Sequence, residues 1–326
     1  MLDRVEDLIQ QVRDVTDEDN VNDISDDFII RALNRAQQDL VSEITRKYNP
    51  QFMQEVLLTQ SDFKQDIQGK ARVATLPVRS FAYRVNNVDA RVGDTWVPVR
   101  QVPFSYTLSL DTNSGTSLPV VYSMQGNKIY VYPNIDQVTQ LRIRYQVRPP
   151  KLVATQGRVT EIGENYVIVD DIGTGLSSSV DDLSAFINFV DAGTGLIKGT
   201  AQVVGLNDAS NRVTIQVSSP NLSRTTVFGF AVSAAVPSDL ALDDYVCLAS
   251  GTCIPYLASD LSNYHVELAS FHVKRALGTV GQADFSERDR VIERISKLWS
   301  GRENTMKINK TRNYPLYSWQ SWFRGS

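Results

Sequence analysis

The chain opens with two runs in which apolar residues return every three to four positions. Leu2, Val5, Ile9 and Val12 form one stripe, and Ile29, Leu33, Ala36, Leu40 and Ile44 form a second. This is the spacing of helices that bury one face. Ser25, followed by Asp26 and Asp27, marks the second start, with a capping hydroxyl and two carboxylates at the positive end of the helix dipole. Pro50 closes it. From Ala71 the period becomes two. Phe81, Tyr83 and Val85 alternate, and Asn86-Asn87 offers a turn. Val120-Val121-Tyr122 runs to Gly126-Asn127 and on to Ile129-Tyr130-Val131-Tyr132, so Gly-Asn is expected to close a two-residue hairpin. The next eight residues, Leu141 to Arg148, alternate without a fault, apolar on one side and basic on the other. These strands predict an antiparallel sheet with a core side and a wet side. Arg142, Arg144 and Arg148 read as that solvated face rather than as a phosphate site.

Pro149-Pro150 punctuates the chain, and the pattern changes. Residues 154–236 are rich in Val, Thr, Ser and Gly and contain neither Trp nor Cys. Short strands are expected at Arg158–Ile162, Tyr166–Val169, Ala201–Leu206 and Arg212–Val217. Asp171-Ile172-Gly173-Thr174-Gly175-Leu176 returns 20 residues later as Asp191-Ala192-Gly193-Thr194-Gly195-Leu196. Both copies suit tight turns, because Gly accepts positive φ and Asp bonds its own backbone. The block reads as a small β-sandwich or barrel inserted into the main fold. After Pro237 a helical period returns: Leu242, Tyr245, Ala249 and Thr252 to Pro255, then Tyr264, Leu268, Phe271, Val273 and Leu277 to Gly278 and Gly281. Asp284 with Glu287 resembles a capping box before Val291, Ile295 and Leu298.

The segment from Gly301 to Ser326 has no apolar periodicity long enough for an element of its own. It is basic, net +4, and the last 28 residues hold three of the four tryptophans, Trp299, Trp319 and Trp322. Large aromatics are costly to leave in water, and clustered Trp, Tyr and Arg are typical interface anchors. The segment is therefore expected to dock on something, as an extended arm for a neighbouring chain in preference to folding back over its own domain. Residues 1–27 carry the opposite sign, ten acids against two arginines. Opposite ends on one chain suit contacts between subunits, while the plainer reading of the first is a solvated acidic helix face.

Composition narrows the class. The 326 residues are 21% charged and 42% apolar, with a net charge of −4, so the expectation is a soluble protein of two or three domains that does not wrap nucleic acid. The N-terminus MLDRVEDL lacks the features of a signal peptide, and no stretch reaches the ~20 apolar residues of a membrane span. A cytoplasm-like compartment is expected.

A search for chemistry returns none. His265 and His272 are seven apart, about 10 Å along a helix, too far to share one metal ion, and read as structural. Cys247 and Cys253, six apart on an expected helix, lie beyond disulfide reach and read as small core residues. Gly193 to Thr200 matches neither dinucleotide-binding nor P-loop spacing, and no helix pattern follows. The repeated Asp-x-Gly-Thr-Gly is not the Asp-Thr/Ser-Gly of aspartic proteases, and Gly-x-Ser-x-Gly is absent. No catalytic, cofactor or metal residue is assigned.

Two stretches resemble the head-to-tail adaptor (connector) proteins of tailed bacteriophages. One is Tyr122-x-x-x-Gly126-Asn127-x-Ile129-Tyr130-Val131-Tyr132-Pro133 with Leu141-Arg142-Ile143-Arg144-Tyr145 and Pro149-Pro150-x-Leu152-Val153. The other is Phe28-Ile29-x-x-Ala32-Leu33-Asn34-x-Ala36-Gln37-x-x-Leu40, reached from an acidic segment. The resemblance covers residues 20–153 and, more loosely, 237–299. It implies a non-enzymatic ring, usually of twelve copies, at the neck of a virion assembled in the host cytoplasm. Its partners would be further copies of itself, the portal, a tail or nozzle protein and passing double-stranded DNA, with no membrane. C-terminal extensions onto the portal are common in such proteins, which points to Arg312, Tyr314, Tyr317, Trp319, Trp322, Phe323 and Arg324 as portal- or subunit-binding residues. The fold class expected is α+β, a helical bundle with an antiparallel sheet. Residues 1–153 and 237–300 form its core, 154–236 an inserted small all-β domain and 301–326 an extended arm. The alternatives are a receptor- or carbohydrate-binding virion component that uses the inserted domain, and a cell-wall hydrolase, for which no acid pair stands out.

Overall fold

The two N-terminal stripes fold as their spacing requires. In a computed structural model, the described residues are 3–16, 24–46, 53–59, 62–65, 71–76, 80–107, 121–132, 138–179, 182–216, 226–227, 230–233, 235–257 and 259–310. Helix α1 (Val5–Thr16) buries Val5, Leu8, Ile9 and Val12. Helix α2 (Asp26–Arg46) starts one residue after Ser25, whose carbonyl accepts the amides of Phe28 and Ile29. Leu2 and Pro50 lie outside the described residues.

Two sheets follow. One has the spatial order β1 (Met53–Thr59), β9 (Val138–Val147), β4 (Ser80–Val92), β5 (Thr95–Pro98). The other runs β2 (Lys64–Gln65), β3 (Arg72–Thr75), β8 (Lys128–Tyr132), β7 (Val121–Gln125), β6 (Arg100–Gln101), with the short helix α3 (Phe104–Thr107) after β6. Gly126-Asn127 closes the β7–β8 hairpin as expected, with Gln125 opposite Lys128 and Gly126 at φ +56°. Strand β9 buries Leu141, Ile143, Tyr145 and Val147. On its other face, Arg142 and Arg144 are not bare. They reach Asp89 at 2.8 Å and Glu55 at 2.9 Å. Asn86-Asn87 is not a turn. Both residues lie inside β4, where the register with β9 shifts between Val85 and Asn87. The asparagines mark an irregularity that the strand passes through, and the chain reverses instead at Gly93-Asp94, with Val92 opposite Thr95 and Gly93 at φ +59°.

Helices α4 (Ser262–Leu277) and α5 (Gln282–Lys310) complete this half. One apolar cluster joins Leu33, Leu40 and Ile44 of α2, Val266 and Leu268 of α4, and Val291 and Ile295 of α5 to the inward residues of both sheets. Gly278 ends α4 as expected, at φ +74°, with its amide on Arg275 O and that of Thr279 on Lys274 O, the usual closure of a helix by a left-handed residue. Two expectations at α5 need correction. The helix begins before Asp284, whose carboxylate reaches back to the Gly281 amide at 2.7 Å from within the first turn. Gly301 does not stop it either, so residues 301–310 of the expected arm are helical. A glycine inside a helix costs only about 1 kcal/mol, too little to end one alone.

The remaining strands make a closed figure. Pairings run from β13 (Phe186–Val190) to β18 (Tyr245–Leu248), β11 (Thr155–Ile162), β12 (Tyr166–Val169), β15 (Arg212–Ile215) and β14 (Ile197–Asn207), and from β14 back to β13, all antiparallel. Six strands thus close a barrel, filled by Val159, Val167, Val169, Ile187, Phe189, Ala201, Val203, Val213, Ile215 and Val246. Strand β17 (Phe230–Ser233) attaches in parallel to β14, and β16 (Thr226–Val227) pairs with β17. Gly157, at φ +136° in a register shift of β11, has the Val169 side chain and the Asp171 carbonyl where a Cβ would stand, 2.7 and 2.5 Å away. Strand β10 (Lys151–Leu152) pairs in parallel with β19 (Gly251–Thr252) beneath the barrel. The helix expected over Leu242 to Thr252 is therefore absent. Tyr245 to Leu248 is a strand between β11 and β13, with Val246 and Cys247 wholly buried. Burial on both faces removes the alternation that would have revealed it.

Candidate functional site

The residues carrying the adaptor resemblance come together in space. Asn34, on α2, accepts the Leu152 amide at 2.8 Å and returns its own amide to the Leu152 carbonyl at 2.9 Å. It pairs with that backbone as a neighbouring strand would. One helical turn on, the buried Gln37 donates to the Pro150 carbonyl at 2.9 Å. Spacing of three puts both amides on one face, and Pro149-Pro150 presents carbonyls without amides that would need partners. The Leu33 carbonyl beside this clasp accepts from His265 Nε2 at 2.9 Å. Two sequence stretches more than a hundred residues apart are thus one structural device.

The same region joins the helical core to the barrel. At the head of α1 the Val5 amide bonds Cys253 O at 2.9 Å, Glu6 accepts the Thr155 amide at 2.8 Å, and the Arg4 guanidinium lies 5.8 Å over the Tyr245 ring. Asp3 accepts from the Ser262 hydroxyl. On the outer face of β13, buried Asn188 donates to Gly251 O at 2.8 Å. Where the ends of β13, β14 and β18 meet, Lys198 Nζ stands 2.8 Å from both Asp191 and Asp244. Asp191 also accepts from the Gly193 and Thr194 amides and the Thr194 hydroxyl, so the second Asp-x-Gly-Thr-Gly is an Asx-type turn. Its Lys198 and Thr194 partners hold the Asp191 carboxyl well below the usual range. Burial works against the Lys198 ammonium, but its bonds to Asp191 and Asp244 prevail and raise its pKa. In the first copy the Gly175 amide donates to Gln156 Oε1 at 3.2 Å.

His265 and His272 both face α2, His272 through Asp39 at 2.9 Å. Among the described residues no three His, Cys, Asp or Glu side chains gather as metal ligands would, and no helix is long and apolar enough to cross a membrane. Cys247 and Cys253 are buried and free, as read from the sequence. They are neighbours, however, rather than residues separated along a helix, and burial, with Cys253 alongside, pushes the Cys247 thiol up. Arg312, Tyr314, Tyr317, Trp319, Trp322, Phe323 and Arg324 lie outside the described residues.

The fold is a helical layer over two sheets, antiparallel but for the parallel β6–β7 pair, with its exit strand locked by the α2 clasp. The chain belongs to the SU10 adaptor protein family, whose model matches residues 4–173, just over half of it. It is a bacteriophage structural protein, a component of the virion at the head–tail junction. No curated protein matches the chain. The match takes in the clasp, both core sheets and the first two barrel strands, and stops before β13. Sequence reading had quoted Asn34 and Gln37 only as pattern positions. The signal for their role was two amides three apart inside an otherwise apolar helical stripe. It missed Lys198 and Asp244, which no local spacing connects.

Proposed function

We propose that the chain assembles as a ring of twelve copies that joins the portal vertex to the tail and extends the DNA channel without reading sequence. Family membership over residues 4–173 carries this reading. A net charge of −4 supports the channel, because a strongly basic bore would retain a polyanion. The acidic residues of the first 27, Asp3 and Glu6 apart, are the proposed lining. The role is structural rather than catalytic, and assembly takes place in the host cytoplasm. The barrel projects from the ring toward a tail part or fibre. Residues 311–326, with their Tyr, Trp and Arg anchors, hold the ring in the neck. Deleting 311–326 should leave each subunit folded, by circular dichroism and melting, while DNA-filled heads lose the ring and leak. A truncated chain that stays on portal-bearing capsids as well as the full one would refute the role of that segment.

A further inference from the structure

Four strands edge the two core sheets, and three of them are guarded. Strand β5 has four residues and ends in Pro98, while β2 and β6 have two each and carry Lys64 and Arg100. Shortness, proline and cations are the devices that keep a sheet edge from pairing with another chain. Strand β1 has none of these. Its seven residues, MQEVLLT, hold an unbroken register from Met53 opposite Gln146 to Thr59 opposite Gln140. Among the described residues it pairs with β9 and no other strand. Thr59 gives its amide to the Asp62 carboxylate at 2.7 Å rather than to β9. Successive residues of an antiparallel strand turn their amides to opposite sides, so Met53, Glu55 and Leu57 present theirs outward. Leu57, 48% exposed, sits on the wet face of this edge beside Arg142.

We propose that an added strand completes this edge, and that it is residues 316–323 of a neighbouring copy. This rests on the ring reading above. The segment reads LYSWQSWF, between Pro315 and Gly325. It is rich in strand-favouring aromatics, bounded by residues that begin and end strands, and one residue longer than β1. Pairing with Gln320 opposite Glu55 sets Trp322 on the same face as Leu57, where an indole also covers arginine favourably. Arg312 and Arg324 flank the segment, and Glu55 lies on the edge it would meet. Among the described residues, each copy has one unguarded edge on its core sheets, and each carries one such segment. A contact in which every copy gives one surface and receives on another is the head-to-tail kind that closes rings.

The test uses the full chain on portal-bearing capsids. Leu57→Pro removes an outward amide without touching the β9 ladder, and Leu57→Ala keeps it. L57P should retain its circular dichroism but lose ring retention at least tenfold, as is expected of the 311–326 deletion, while L57A keeps it. Independently, Glu55→Cys with Gln320→Cys should form a disulfide; both native cysteines are buried. Mixed heavy- and light-isotope copies should give heavy–light links. L57P behaving as the unaltered chain would overturn the proposal, as would links confined to single copies or formed to the portal through an added portal thiol. Failure of the unaltered chain to bind such capsids would sink the ring reading itself, whereas normal binding without heavy–light links sinks only this seat.

Discussion

His265 is a buried base with one nitrogen satisfied. Its Nε2 donates to Leu33 O at 2.9 Å, its Nδ1 has no partner among the described residues, and burial pushes its pKa down from 6.5 to about 4. Because the folded value lies below the unfolded one, the unfolded chain binds the extra proton between these pH values. Stability contributed here is full above pH 6.5 and falls by about 3 kcal/mol as pH drops to 4. Asp7 and Asp191, both depressed, lose their contribution only below about pH 4. Glu267, raised by burial, works in the opposite direction. The difference between chains therefore isolates the histidine. His265→Gln, which can still donate to Leu33, should flatten the fall in urea midpoint between pH 6.5 and 4, and an unchanged slope would disprove the assignment. Spacing alone separated His265 and His272 from metal chemistry, but it could not show that both bond to α2, since Leu33 and Asp39 lie more than two hundred residues away. The cysteines were placed in the core by type, although the helix assumed for their separation does not exist.

At the scale of elements, strongly periodic segments were legible. Helices α1, α2 and α4, the Gly126-Asn127 hairpin and the two faces of β9 follow from apolar spacing and turn chemistry. Elements buried on both sides were not. Phe186 to Val190 shows no alternation because all five residues are buried, and Tyr245 to Leu248 was hidden by neighbours at helical intervals. The clasp shows how one element fixes another. Asn34 satisfies both backbone groups of Leu152, so Asn34→Leu would leave an amide and a carbonyl without partners where water enters poorly. Each such group costs about 1–3 kcal/mol, and the variant should lose about 3 kcal/mol in denaturant unfolding. Asn34→Asp, which can accept from the Leu152 amide but not donate to its carbonyl, should lose less. Equal stability of all three chains would show that the clasp contributes nothing.

Among the described residues the two largest apolar clusters are separate, one shared by helices and two sheets, the other inside the barrel. The composition shift and the prolines at 149, 150 and 237 lead to an expected division of the chain at 154–236. Strand β18, residues 245–248, lies beyond Pro237 yet belongs to the barrel wall, where it pairs with both β11 and β13. A boundary drawn from composition follows the sequence, whereas a barrel closes on whichever strand fills the last gap. The division we propose therefore runs through the joint, with β10 and β19 on the core side and β11 and β18 on the barrel side. Two excisions distinguish the alternatives. Removing 154–236 leaves Val246 and Cys247, now wholly buried, on a strand without neighbours, and such an exposed apolar edge is an aggregation site. Removing 155–249 and joining the ends through a short Gly/Ser linker takes the whole barrel and keeps the parallel β10–β19 pair. It gives up the Glu6 bond to Thr155 and the Arg4 contact with Tyr245, contacts at the rim of the core rather than within it. The longer deletion should be soluble and melt cooperatively with strong helical dichroism, and the shorter should aggregate on expression. If the longer deletion aggregates as well, the helical core depends on the barrel for its stability and the two centres form one cooperative unit.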